Sequence, residues 1–343
     1  MFNNSSHMNA SESSIVRGRL APSPTGYLHL GNAWSFLLCW LAVRAQGGQV
    51  VLRMEDIDPE RSRREYVDAI MRDLDWLGLD WDEGPDVGGP FAPYVQSERQ
   101  DRYREVIKTL AALGHTYPCY CTRRELKTMA SAPHAEDVGP VYPGTCRGLS
   151  ADERAQRQGR GRTPSLRLHG GVETVFDDLV QGRVRLGWMD CGGDFPLRRS
   201  DGVVSYQLAV AVDDMDQGIS LVVRGADILP CTPRQIILFR FLGRPVPNYA
   251  HVPLILDHKG ERLAKRHEGC ELRALREAGV SPRAITGYLA YRAGLLDRPD
   301  MAEPRDLASL FDWSRLPRHG VTLPREVAGV LVANKNQFIS MGK

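Results

Sequence analysis

The stretch IVRGRLAPSPTGYLHLGNAWSFLLCWLAVRAQGGQVVLRM, residues 15–54, decides the fold. Ile15 to Ala21 reads as a short strand, and Pro22-Ser-Pro-Thr-Gly26 as a turn, because proline fixes φ and glycine frees it. Residues 33–45 are apolar nearly all round, which predicts a buried helix. Gln49 to Met54, rich in Val and Leu, predicts a second strand. Strand, helix, strand is a βαβ unit, and it implies a parallel sheet.

Outward from this unit the rhythm continues. Val67, Ile70, Met71 and Leu74 fall at i, i+3, i+4, i+7 and predict a helix over 64–77, with another over 97–113. Residues 115–165 interrupt with Cys, Pro, Gly and Arg, as an insertion would. Strand-like runs return at Ser165–Leu168, Val203–Val212 and Ser220–Val223, followed by a helix at 233–242 and a strand at 251–256. Helical patterns at 282–296, 305–311 and 324–338 close the chain. The expected divisions are a disordered tail (1–14), a first catalytic half (15–115), an insertion (116–190), a second half (191–257) and a loop with a small helical domain (258–343).

Composition narrows the function classes. The 343 residues are 42% apolar and 25% charged, which excludes a disordered or collagen-like chain. The longest apolar run, Trp34 to Val43, is far short of the ~20 residues that span a bilayer. No secretory signal is evident, so a cytoplasmic protein is expected. Net charge is only +2, but Arg147 to Arg167 holds six Arg against Asp152 and Glu153, a candidate surface for a polyanion.

Two motifs carry chemistry. In Arg19-Leu-Ala-Pro-Ser-Pro-Thr-Gly-Tyr-Leu-His-Leu-Gly-Asn32, Gly26 and Gly31 admit a ligand close to backbone, and His29 lies just before a helix N-terminus. Such an end offers unpaired N–H groups to phosphate, and His29 could donate to a phosphate oxygen that gains charge in a transition state. In Arg262-Leu-Ala-Lys265-Arg266, three cations in five residues could neutralise a triphosphate.

In this order, the pair resembles the HIGH and KMSKS signatures of class I aminoacyl-tRNA synthetases, reading here His29-Leu-Gly-Asn32 and Arg262-Leu-Ala-Lys-Arg266. Arg19-x-Ala-Pro-Ser-Pro-Thr-Gly, Arg53-Met-Glu-Asp-Ile-Asp58, Val212-Asp-Asp214 and Val223-Arg-Gly-Ala-Asp227 are similar to the glutamyl-tRNA synthetase group. The resemblance implies an α/β fold with a Rossmann-type parallel sheet, split by a zinc-binding insertion and followed by a small helical domain. It implies that His29 and Lys265 stabilise phosphates during attack of glutamate on ATP, with Mg²⁺ helping to hold the phosphates. Gly31, Asn32 and Arg262 would join them at ATP. Arg19, Ala21, Ser23, Glu55, Tyr206 and Arg224 match positions that hold glutamate, Glu55 facing its ammonium. Two departures stand out: Arg262 replaces the first Lys of the second signature, and Ala264 its Ser.

Seven cysteines without an export signal argue against a disulfide framework. Cys119-x-Cys121 and Cys146 fall in the insertion, and thiolates favour Zn²⁺, which wants four ligands. His115, His134 and Tyr142 are local candidates for the fourth. The pattern Cys-x-Cys…Tyr-x₃-Cys resembles one glutamyl-tRNA synthetase-like subgroup, in which Tyr142 would complete a structural site.

After Arg266 only 77 residues follow, too few for the large anticodon-binding region of glutamyl-tRNA synthetases. Short length and the Tyr-containing pattern resemble the glutamyl-queuosine tRNA(Asp) synthetases, which activate glutamate without tRNA and attach it to the queuosine base at the wobble position. The expected partners are L-glutamate, ATP and queuosine-bearing tRNA(Asp), met by a monomer with no membrane. The alternatives are a minimal enzyme charging tRNA(Glu) and a non-catalytic binding paralogue. Arg198, Arg199, and the Arg315–Arg325 region are further candidate RNA contacts. Arg160→Ala and Arg162→Ala are expected to weaken tRNA charging while sparing adenylate formation.

Overall fold

The computed structural model describes residues 15–122, 124–126, 141–159, 161, 163–263 and 270–332. In chain order, β1 (Arg17–Leu20), α1 (Leu30–Arg44) and β2 (Gln49–Leu52) form the opening unit. Helices α2 (Arg64–Trp76) and α3 (Gln100–Ala112) follow, the latter entered through a 3₁₀ turn at Gln96–Arg99. Next come β3 (Thr116–Cys119), α4 (Ala151–Gly159), β4 (Ser165–Leu168), β5 (Thr174–Asp178), β6 (Gly182–Leu186) and β7 (Pro196–Arg198). Then α5 (Tyr206–Asp216), β8 (Leu221–Gly225), α6 (Thr232–Phe241) and β9 (Asn248–Val252) complete the central layers. Finally β10 (Ile255–Leu256), α7 (Leu272–Glu277), α8 (Pro282–Arg292), α9 (Pro304–Leu307) and β11 (Val321–Thr322) lead to a helical segment from Val327, which reaches the end of the described residues at Val332.

The main sheet runs β2-β1-β8-β9-β5-β6, parallel throughout except at the β5–β6 hairpin. Both faces are covered, and residues alternate between them. Val50 and Leu52 join Leu20, Val223 and Ala250 under α1, whereas Val51 packs with Val222 and Tyr249 on the opposite side. A strand buried on both faces reads as a continuous apolar run, as Val50 to Leu52 does. The chain leaves β1 for β2 and leaves β8 for β9 in opposite directions, so β1 and β8 flank a topological switch point. The crevice beyond their C-terminal ends is where open α/β sheets bind ligands.

Three expectations need correction. Val203–Val212 is not a strand; Ser205 caps a helix, its Oγ accepting from the Leu208 N–H, and the Leu-Ala-Val-Ala-Val run is a buried turn of α5. A short apolar run is ambiguous between the two, and the serine cap decides. The β5–β6 hairpin, unread in the sequence, extends the main sheet, while β7 joins β3 and β4 in a separate three-stranded antiparallel sheet. Strand pairing thus crosses the expected division at 190/191. The strand expected at 251–256 is two: β9 in the main sheet and β10, which pairs in parallel with β11. Among the described residues, no helix is long and apolar enough to cross a membrane.

Candidate active site

A cavity of about 360 Å³ opens at the switch point. It is lined from β1 and its turn by Arg19, Ala21, Ser23 and, at the start of α1, His29, Gly31 and Asn32. Glu55, Tyr206, Arg224 and Arg262 line its other walls. Ten sequence-predicted site residues from six separated segments therefore converge. Lys265 and Ala264 lie outside the described residues.

His29 is the N-cap of α1. Its Nδ1 accepts the Gly31 N–H at 3.1 Å, and its own N–H donates to Asn32 Oδ1 at 3.0 Å. An accepting Nδ1 puts the proton of the neutral ring on Nε2, so the imidazole is a donor there. A Cβ at Gly31 would come within 2.9 Å of His29 Cε1, which is why this position suits glycine. The turn is braced from afar: Leu30 N–H donates to Cys270 O, and Leu272 N–H to Leu28 O, at 2.9 Å each. The residues just beyond the second motif thus hold the first. On the same wall Arg262, half exposed, ion-pairs with Asp227.

Glu55 sits in a buried charge cluster that sequence reasoning did not assign. Arg53 Nη2 reaches Glu55 Oε1 at 3.1 Å and Asp214 Oδ1 at 2.9 Å. Arg19 Nε reaches Asp214 Oδ1 at 3.2 Å, and Arg99 Nε meets Asp213 Oδ1 at 2.7 Å. Burial pushes the Glu55 pKa up, against the pull of Arg53 and Arg19. Arg53 engages Glu55 through Oε1, so Oε2 is the oxygen the site offers to a substrate ammonium. Burial, together with the nearby Glu55 charge, raises the Tyr206 pKa and keeps its hydroxyl protonated.

Arg224 is held differently. Its Nε donates to His251 Nε2 at 3.0 Å, Nη1 to Gln235 Oε1 at 2.7 Å and Nη2 to Thr232 Oγ1 at 2.8 Å. Arg19 is charge-matched by Asp214, whereas these three acceptors carry no charge. Asp213, Asp214 and Arg53 had a signal in the motifs that contain them. His251, Thr232 and Gln235 had none.

The second cluster lies beneath the small sheet. Cys119, Cys121 and Cys146 place their Sγ atoms within 4.8 Å of one another, Cys121 and Cys146 at 3.6 Å. Tyr142 Oη is 3.4 Å from Cys119 Sγ and 4.0 Å from Cys121 Sγ. Ligands 2.0–2.3 Å from a tetrahedral zinc stand roughly 3.5–3.8 Å apart, so the donor set fits such an ion. Burial pushes the Cys119 thiol up, but Arg167 and Tyr142 outweigh it and the net shift is downward, toward the thiolate a metal needs. His115 stacks on Phe241 instead, at 3.5 Å, and His134 lies outside the described residues.

The basic stretch 147–167 is in part committed to this cluster. Arg167 is buried over the Tyr142 ring at 3.9 Å, and Arg157 Nη1 lies 3.6 Å from Cys146 Sγ. Arg147 pairs with buried Asp194 at 2.7 Å. Of these three arginines Arg167 is buried, Arg157 is half-buried and Arg147 stays exposed beside its partner; Arg160 and Arg162 lie outside the described residues. Arg198 is exposed, and Arg199 pairs with Asp58 and Asp201.

Comparison with known proteins agrees with this geometry. The family model for class I tRNA synthetases (E and Q), catalytic domain, matches residues 15–315. The glutamyl-Q tRNA(Asp) synthetase of Nitratidesulfovibrio vulgaris is 56% identical over 317 residues, covering 91% of this chain and 97% of its own. The chain belongs to the glutamyl-Q tRNA(Asp) synthetase branch of the class I synthetases. A second glutamyl-Q tRNA(Asp) synthetase, from Symbiobacterium thermophilum, is 52% identical over 92% of this chain and 98% of its own. Among solved structures, a glutamate tRNA ligase from Elizabethkingia meningosepticum in complex with its amino acid superposes with a TM-score of 0.79 at 27% identity. It is matched over 94% of this chain but 70% of its own, whereas the two glutamyl-Q tRNA(Asp) synthetases are matched nearly end to end.

Proposed function

We propose that the protein activates L-glutamate with ATP, without needing tRNA, and transfers the glutamyl group to the queuosine base at the wobble position of tRNA(Asp). The observation that carries this reading is the near end-to-end match to glutamyl-Q tRNA(Asp) synthetases, joined to a cavity whose walls suit glutamate and a nucleotide. A glutamate carboxylate oxygen attacks the α-phosphorus, the bond to the bridging oxygen breaks and pyrophosphate leaves. The queuosine nucleophile then attacks the acyl carbon and AMP departs. In-line displacement of this kind needs mostly positioning and charge neutralisation.

In this assignment Arg19 and Arg224 take the carboxylates, Glu55 the ammonium, and Ala21, Ser23 and Tyr206 complete the pocket. His29 donates from Nε2 to phosphate, Gly31 and Asn32 present the N-terminus of α1, and Arg262 and Lys265 approach from the second motif. Mg²⁺ bound with ATP offsets phosphate charge. One Zn²⁺, on Cys119, Cys121, Tyr142 and Cys146, cross-links the insertion and takes no part in the reaction. A catalytic domain split by that insertion, a small helical domain after it, a monomeric state and a cytoplasmic setting complete the proposal.

Glutamate-dependent exchange of labelled pyrophosphate into ATP, run without tRNA, tests the first step. Exchange with glutamate and not with glutamine supports the assignment, and its absence in folded protein overturns it. It also discriminates against a non-catalytic paralogue.

A further inference from the structure

Asp178 and His251 are wholly buried and touch the proposed substrate site only through Arg224. Asp178 ends β5, and His251 lies in β9 beside it. Asp178 Oδ2 is 2.6 Å from His251 Nδ1, while His251 Nε2 faces Arg224 Nε at 3.0 Å and Thr232 Oγ1 at 3.0 Å. A guanidinium N–H can only donate, so His251 Nε2 must be the bare, accepting nitrogen. The ring proton is then on Nδ1, directed at Asp178. A doubly protonated ring would set two N–H groups against each other at Nε2. Burial together with the Arg224 charge also disfavours the imidazolium.

We propose that Asp178 and His251 are positioning residues for Arg224, fixing the histidine tautomer that offers its guanidinium a neutral acceptor and so leaving its charge for a substrate carboxylate. The inference rests on the glutamate reading of the cavity. A carboxylate in place of His251 would hold Arg224 just as firmly but would compete with the substrate carboxylate for its charge. Three of the five Arg224 N–H groups are taken by His251, Gln235 and Thr232, which fixes the plane of the fork. Two N–H groups remain for a bidentate carboxylate.

Asp178→Asn isolates the effect. Asp178 Oδ1 accepts the backbone N–H groups of Val180, Gln181 and His251 at 2.8–3.1 Å, the last shared with Oδ2 at 3.1 Å, so the amide oxygen of an asparagine keeps all three bonds and only the Oδ2 half of the shared one is lost. Its NH₂ then replaces Oδ2 and donates to Nδ1, driving the proton to Nε2 and against Arg224. In exchange assays the glutamate KM should rise about 10- to 100-fold, the scale of one misdirected charged hydrogen bond, with the ATP KM within about twofold. Side-chain ¹⁵N–¹H spectra should place the His251 proton on Nδ1 in the wild type and on Nε2 in the variant. His251→Gln, which can still offer a neutral oxygen, should retain a glutamate KM closer to wild type than His251→Leu.

An Nε2–H histidine in the wild type, or an unchanged glutamate KM in a folded Asp178→Asn enzyme, overturns the proposal. Equal rises in both KM values would indicate general damage and also count against it. Should the variant fail to fold, the wild-type tautomer decides alone. Absence of glutamate-dependent exchange in the wild type would instead sink the functional reading, and the two failures are thereby separate.

Discussion

Arg19 Nε and Asp214 Oδ1 meet at 3.2 Å across the seam between β1 and α5, with both side chains buried. The same carboxylate oxygen lies 2.9 Å from Arg53 Nη2. One acid therefore anchors two buried guanidiniums, one of which faces the proposed substrate. Removing one member of such a cluster strands charge in a low-dielectric interior. Asp214→Ala should destabilise the protein by about 3–5 kcal/mol, measured by urea unfolding. A change below about 1 kcal/mol would mean that water or neighbours replace the anion freely.

His29 should matter to rate far more than to binding. Its Nε2–H is fixed by the Gly31 bond to Nδ1, so it is aimed before any nucleotide arrives. His29→Ala should lower the exchange kcat by about 100- to 1000-fold, the scale of losing one preorganised donor to developing charge. The glutamate KM should stay within about threefold if the role is confined to the transition state.

Burial, opposed by the Asp178 bond, pushes the His251 pKa down to about 4 from the ordinary 6.5. The unfolded chain then binds this proton first, so the contribution to stability is complete above pH 6.5 and is lost as pH falls toward 4. The loss amounts to about 3 kcal/mol over that interval. His251→Gln should lack this part of the slope, and Asp178, whose pKa the bond to His251 helps to lower, is a carboxylate whose titration shifts with it. Parallel stability curves for the two between pH 7.5 and 4.5 would contradict it.

The thiol cluster predicts a metal-dependent stability. Purified protein should hold about one equivalent of zinc by elemental analysis, and Cys146→Ser or a strong chelator should lower Tm by about 5 °C or more. Retention of Tm after complete metal loss would show that the cluster packs as neutral thiols.

Much of this was legible in the sequence because the deciding signals are local. The Pro/Gly turn before an all-apolar helix announces a βαβ unit, and His29, Gly31 and Asn32 act within one helix turn. The misreading of Val203–Val212 came from β-branched residues whose helical state depends on the Ser205 cap and on burial. The β5–β6 hairpin was hidden because its Asp and Arg residues mask the alternation. Arg224 was found, but its cage of Thr232, Gln235 and His251 was not. Those residues meet only through pairing of β8 with β9 and the return of α6, separations that no local pattern reports.

The acceptor can be read from transfer of labelled glutamate, with ATP, to matched preparations of tRNA(Asp) carrying or lacking queuosine and to tRNA(Glu). Label should appear on queuosine-bearing tRNA(Asp) alone. Label on tRNA(Glu) instead, or equal label on tRNA(Asp) lacking queuosine, would contradict it.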